Sequence, residues 1–302
     1  MNNKRRLFST LLCVAALTAG LFVSGCGSDK AGGIGSVVSS VVDGGSDEKA
    51  AAKLNTLIDA TNRFNGDNAT WGQNYADSLA KLKGGFQEGA IGRQPHYDTL
   101  KDALEKSKKE GSTFKEVDTE RDNVLNILNE LVPTFKDLKA YDDSKAYMND
   151  GGAKGKELAA KYVAQVEKFD AAYAKFNDAL NKANTEQTKK QIEKLKKDGK
   201  KGYAAAMEST LRLTNLVENV EKAPKNADKQ AVEKELNEIQ TLLKSINNDR
   251  GEVLVNSYNS VVGSVRQVLN DANENNLNDM IENFNNYIES YNNTTPDQFD
   301  CK

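Results

Sequence analysis

From Leu158 to Ala183 the apolar residues Leu158, Tyr162, Val166, Phe169, Tyr173, Phe176, Leu180 and Ala183 recur at intervals of 4, 4, 3, 4, 3, 4 and 3. A helix places such a series on one face, whereas a strand needs every second residue. After a polar patch the stripe resumes at Ile192, Leu195, Gly199, Gly202, Ala206, Thr210, Leu213, Val217 and Val220, and no proline interrupts the chain between Gly152 and Pro224. One unbroken helix over residues 153–223 would be on the order of 105 Å long at about 1.5 Å per residue. The alternatives are a break near Asn184-Thr185 or at the Gly199/Gly202 pair.

The remaining segments carry the same period. A first helix opens at Asp47 and Glu48, aligns Leu54, Leu57, Ile58, Thr61 and Phe64, and is expected to stop at Gly66. Trp71, Tyr75, Leu79 and Leu82 suggest a second, and glycines 84, 85, 89 and 92 a loop into a third that starts after Pro95. Val117, Val124, Leu128, Leu131, Phe135 and Leu138 form a fourth, with Pro133 read as a kink or boundary. Further helices are marked by Val232 to Ile246, Leu254 to Val268 and Leu277 to Tyr291. The valine-rich middle one makes a strand conceivable, but its 4, 3, 4, 3 spacing favours helix. The expected fold is therefore all-α, an elongated antiparallel bundle of long helices after a disordered N-terminal tether. Only four prolines, 28% charged residues and a mean hydropathy of −0.65 suit a thin bundle with much surface per residue.

The start of the chain has a different character. Lys4, Arg5 and Arg6 precede an uncharged apolar run from Leu7 to Val23, the layout of an export signal. The run ends in Val23-Ser24-Gly25-Cys26, which resembles the lipobox of bacterial lipoproteins. That resemblance implies cleavage between Gly25 and Cys26 and lipid attachment at the Cys26 thiol. An ordinary membrane span is the alternative, and the run is just long enough for it. Either way the basic residues stay inside and the body crosses. Gly27 follows Cys26 where an aspartate would resemble an inner-membrane retention signal, so the outer membrane, facing the periplasm, is expected in a cell with two membranes. In a cell with one, the outer face of that membrane is expected. Eleven of the twenty residues from Gly27 to Ser46 are glycine or serine, a composition suited to a flexible linker. The resulting division is a signal peptide over 1–25, lipidated cysteine and linker over 26–46, a helical domain over 47–292 and a tail over 293–302, with the Cys301 thiol expected on a frayed end.

Few chemistries survive a census. The formal net charge of −3 becomes −6 without the three basic residues of 1–25, which argues against nucleic acid as a partner. The only histidine, His96, lies between Pro95 and Tyr97, so neither a Glu-x-x-His di-metal bundle site nor a Cys/His zinc site can be assembled. Nucleophile and phosphate-cradle motifs are missing as well. No cofactor, metal or catalytic residue is therefore assigned. Acidic pairs such as Asp118/Glu120 and Asp142/Asp143 read as solvated surface. Tyr141, Tyr147, Tyr162, Tyr173 and Tyr203 read as core, with an aromatic ligand groove as the alternative. Residues 189 to 201, "KKQIEKLKKDGKK", hold seven lysines among thirteen residues. Ile192 and Leu195 fall between them at core spacing, which turns Lys189, Lys190, Lys194, Lys197 and Lys201 outward as the solvated face of a packed helix, with a surface contact for anionic lipid, lipopolysaccharide or cell-wall polymer as the alternative.

The stretches "KLNTLIDATN" (Lys53 to Asn62), "AYDDSKAYMNDGGAKGKEL" (Ala140 to Leu158) and "NFNNYIESYN" (Asn283 to Asn292) resemble the YiiG-like bacterial lipoproteins. The resemblance implies an envelope-facing, all-helical domain of unknown function and supplies no catalytic residue. The expected function is a non-enzymatic envelope binding or scaffolding protein, anchored to the membrane and meeting an envelope protein or polymer. A helical solute- or lipid-binding lipoprotein is the second expectation and an enzyme the third. Partner identity and oligomeric state are left open.

Overall fold

The computed structural model describes residues 46–300 except 70, 71, 93, 112 and 113. Among the described residues all regular structure is helical, so the all-α expectation holds. They fall into two compact units, one ending at Ala183 and the other beginning at Asn184.

The first unit contains α1 (Ser46–Ala69), α2 (Gly72–Lys83), α3 (Tyr97–Lys109), α4 (Lys115–Asp143), the single turn α5 (Tyr147–Asp150) and most of α6 (Ala153–Lys197). Its core is built largely from the stripes the periodicity marks, with Leu54, Ile58, Val124, Leu128, Leu131, Tyr162, Val166 and Phe176 all essentially inaccessible, and Leu100 and Leu104 of α3 join them. Aromatic rings fill its centre. Phe64 meets Phe169 and Tyr173 edge-on, Tyr97 meets Phe169 at a centroid distance of 5.0 Å, and Phe169 stacks on Tyr173 at 5.2 Å, the offset and T-shaped geometries that ring quadrupoles favour.

One expected stop and one of two readings of a proline are not met. Gly66 sits inside α1, which runs on to Ala69, because a helical glycine is a penalty of about 1 kcal/mol and not a prohibition. Pro133 is not a boundary but lies within the 29-residue α4. Its missing N–H leaves the Asn129 carbonyl without a helical partner, and Asn129 is exposed, so water can serve instead. Burial of Leu131, Val132, Thr134 and Leu138 around the proline holds the helix together.

The long stripe resolves in favour of one of its alternatives. α6 continues through Asn184-Thr185 for 45 residues in all, roughly 68 Å. It ends at Lys197, where Gly199 takes the left-handed conformation at φ +78, and α7 (Lys201–Lys222) follows. A glycine at that φ ends a helix without the Cβ strain any other residue would meet.

The second unit comprises the end of α6 with α7, α8 (Lys229–Lys244), α9 (Asp249–Asn270) and α10 (Glu274–Asn292). The valine-rich segment is α9, a helix and not a strand. Asp228, Asn248 and Asn273 cap α8, α9 and α10 by accepting backbone N–H bonds in the first turn, satisfying donors that a helix start leaves unpaired. The three-residue connection between α9 and α10 makes them an antiparallel helical hairpin. The tail is not frayed as far as Asp300. Pro296–Phe299 forms a 3-10 turn, and Phe299 is buried between Tyr203 and Tyr291. Asn248 donates to the Gln298 and Phe299 carbonyls, each at 3.1 Å. Asp300 accepts from the Gly202 and Tyr203 N–H groups at 2.6 and 3.3 Å and so caps α7. Cys301 lies outside the described residues.

Candidate functional site

The five tyrosines singled out by sequence are distributed over four packing sites. Tyr162 donates to the Gln94 side chain, while the neighbouring Tyr75 and Tyr97 hydroxyls bond to each other at 2.8 Å. Tyr173 donates to Asn65 at 3.0 Å. Tyr141 donates to Asp150, whose carboxylate also accepts from the Gly152 and Lys154 N–H groups at 2.9 and 3.1 Å and thereby caps α6. Phe86 packs against both Tyr141 and the half-buried Tyr147. Tyr203 stacks on Phe299 in the second unit.

Burial raises the Tyr75, Tyr97 and Tyr162 phenols above their ordinary range, and the nearby negative charge of Asp170 adds to it. Phenols held neutral in this way serve as hydrogen-bond donors and acceptors of a packed network. Asp170 itself is pushed up to about 6, chiefly by burial, with Glu167 adding and Lys83 opposing. In the second unit Glu221 is pushed up to about 7 by burial and by the charge of Glu218, against the pull of Lys222.

The acidic pairs are largely engaged in structure. Asp118 accepts from buried Arg121 at 2.7 Å, and Asp143 pairs with Lys139 at 2.9 Å. His96 is exposed at the start of α3. No group of three or more His, Cys, Asp or Glu able to hold a metal occurs among the described residues. A shallow cleft of about 410 Å³ lies between α9 and α10, where Ser260, Gly263, Ser264 and Gln267 face Asp279, Glu282 and Asn283.

The lysine-rich segment is displayed as its period requires. Thr188 and Ile192 are buried and Leu195 half-buried on the inner side of α6, while Lys189, Lys190, Lys194, Lys197 and, at the start of α7, Lys201 are exposed. Lys196 is held by Glu193 at 3.3 Å and Glu208 at 2.9 Å, and Lys200 by Asp297 at 3.6 Å. Gly25 and Cys26 lie outside the described residues, and no helix among those described is long and apolar enough to cross a membrane.

Asp170, Glu221 and the α9–α10 cleft were not foreseen. Asp170 follows Phe169 on the stripe and falls four residues after Val166, a position at the rim of the buried face. Ser260, Gly263 and Ser264 share one helix face at intervals of 3 and 1, a patch of small side chains that leaves room for a cleft.

Comparison with curated proteins and with solved structures finds no match. A family described as protein of unknown function (DUF3829) matches residues 48–283, and the chain belongs to that family.

Proposed function

We propose that this is a YiiG-like, membrane-anchored envelope lipoprotein, held to the bilayer through Cys26, whose helical body binds or scaffolds an envelope partner and catalyses no reaction. The observation that carries the non-enzymatic part is how the reactive side chains are employed. The Tyr75, Tyr97 and Tyr162 hydroxyls are tied into core hydrogen bonds, Asp150 and Asp300 cap helices, and Asp118 balances buried Arg121. A side chain committed to its neighbours in this way is not free to meet a substrate. The anchor is supported by the order of basic start, apolar run, small residues and cysteine in residues 4–26. With two or three acyl chains at roughly 0.8 kcal/mol per buried methylene, such an anchor is durable.

The test is mass analysis of the amino terminus of the protein recovered from fractionated cells, combined with cross-linking in the intact envelope. A diacylglyceryl Cys26 in the membrane fraction, lost in Cys26→Ala, together with a reproducible cross-linked partner, is the expected result. An intact, unmodified terminus on protein from the cell interior would overturn the anchor. Turnover of a small molecule by the purified chain would overturn the non-enzymatic part.

A further inference from the structure

The lysines at the end of α6 form more than a solvated face. Lys190, Lys194 and Lys197 follow one another at i, i+4 and i+7, and Thr188, Ile192 and Leu195 do the same two residues earlier. Two residues correspond to about 200° around a helix of 3.6 residues per turn, so the lysine row lies opposite the row that packs inward. Lys189 flanks the row, and Lys201, also exposed, opens α7 just past Gly199. Lys196 and Lys200, on the same segment, are neutralised by Glu193, Glu208 and Asp297, whereas Lys189, Lys190, Lys197 and Lys201 pair with no carboxylate within 4 Å among the described residues. The acidic residues interleaved with the patch are Glu186, Glu193 and Asp198, and Glu193 is occupied by Lys196. On a chain whose body is otherwise net acidic, this concentration of uncompensated positive charge is an electrostatic pole.

We infer that this basic face docks on the anionic phospholipid headgroups of the bilayer to which the chain is anchored. The inference rests on the proposed anchor at Cys26. Twenty residues separate Cys26 from Ser46, so even fully extended they reach no farther than about 70 Å. A body confined to that distance meets the surface at an effective concentration on the order of millimolar, at which weak contacts suffice. Each lysine brought to an anionic surface raises partitioning about fivefold, within a Debye length of about 8 Å in physiological salt. The acidic remainder of the body is repelled by the same surface, so the charge distribution selects one face. Docking by α6 and α7 would fix which side of the second unit points toward the membrane and leave the α9–α10 cleft and α8 as separate surfaces of that unit.

The test is lysine footprinting of the full, processed chain reconstituted on vesicles of phosphatidylcholine containing 30% phosphatidylglycerol and, separately, on phosphatidylcholine alone. An amine-reactive reagent is followed by peptide mass analysis, with exposed Lys229 as internal reference. The expected result is at least about fivefold slower modification of Lys189, Lys190, Lys197 and Lys201 on the anionic vesicles only, relieved by 0.5 M salt. Replacing those four with glutamine should release the chain's residual, salt-sensitive affinity for anionic vesicles, while helicity measured by circular dichroism stays unchanged. Equal rates on both vesicles would overturn the inference. So would protection that appears only when an anionic cell-wall polymer is added, which would make the polymer the partner. The mass of the amino-terminal peptide is read in the same digest, so failure of the Cys26 anchor is distinguished from failure of the docking face.

Discussion

The two units solve the problem of holding amphipathic helices together by different means. In the first, bulky aromatic side chains meet at the centre, and their polar ends are satisfied by one another, as at Tyr75 and Tyr97, or by half-buried amides such as Gln94 and Asn65. In the second, α7 presents small buried residues, among them Ala204, Ala205, Ala206, Ser209 and Thr210, so its neighbours approach closely. The gaps are closed from outside by charge. Arg212 makes a two-pronged contact with Glu235 at 2.6 and 2.7 Å and also reaches Glu238, and Arg266 grips Glu233 at 2.8 and 2.7 Å. Backbone approach is close at Gly202, where an added Cβ would lie 2.1 Å from the Phe299 carbonyl oxygen. The contrast teaches that loss of volume tests the aromatic centre of the first unit, and gain of volume the close backbone approaches of the second.

Phe169→Ala should have the largest effect, because this ring touches Phe64, Tyr97 and Tyr173 and is 2% exposed. A loss of about 3–5 kcal/mol is expected from deleting a buried phenyl group. Urea denaturation gives the size, and hydrogen exchange should accelerate in α1, α3 and the first part of α6. A loss below 1 kcal/mol would mean that the aromatic centre is not what holds this unit.

The next effect is pH-dependent and belongs to the same unit. Asp170, pushed up to about 6 from an ordinary 3.8, binds its proton more tightly in the fold than in the unfolded chain. Its contribution is therefore fully present below about pH 4, declines as pH rises through 6 and is absent above that. Asp170→Asn imitates the neutral acid. It should flatten this decline and stabilise the protein at pH 8 by something on the order of 2 kcal/mol. Thermal melts of both forms between pH 4 and 8 check it. Parallel curves would show that Asp170 is better solvated than its position implies.

Gly202→Ala probes the gain of volume. The new methyl group must displace the Phe299 backbone, which itself carries the buried ring and leads to the Asp300 cap on α7, so about 1–3 kcal/mol should be lost. Asp300→Ala removes only the cap and should lose about 1 kcal/mol. If the two substitutions lose the same amount, the tail acts through its carboxylate alone. If Gly202→Ala loses more and also exposes residues 296–300 to exchange, packing of Phe299 is the larger part.

What could be read from the sequence follows the range of the interaction. The period of 3.6 residues is local, so Tyr162, Val166, Phe169, Phe176 and Leu180 were correctly turned inward and the lysines of residues 189–201 outward. Gly66 as a stop and Pro133 as a boundary are local signals, and the tertiary burial that outweighs a local penalty is invisible in the sequence. Asp170 becomes unusual only when neighbouring helices exclude water from it. The tail is docked by Asn248 and by the start of α7, which lie about fifty and a hundred residues away in the chain. No local pattern could announce those contacts. The α9–α10 cleft likewise needs two helices before it exists.

The smallest predicted effect has the opposite sign and separates conformational cost from packing. Gly263 lies mid-helix in α9, is exposed, and has no atom within 4 Å of the position its Cβ would occupy. Gly263→Ala should therefore stabilise the second unit by about 0.5–1 kcal/mol, since alanine loses less backbone entropy than glycine on entering a helix. Gly251, also in α9, is the control: its Cβ would meet the Ile246 carbonyl oxygen at 2.1 Å, and Gly251→Ala should destabilise. Two identical substitutions in one helix thus move urea midpoints in opposite directions if close backbone approach is what the second unit depends on. Should both stabilise, the approach at Gly251 would be slack, and the intolerance of added volume assigned to this unit would reduce to the single contact at Gly202.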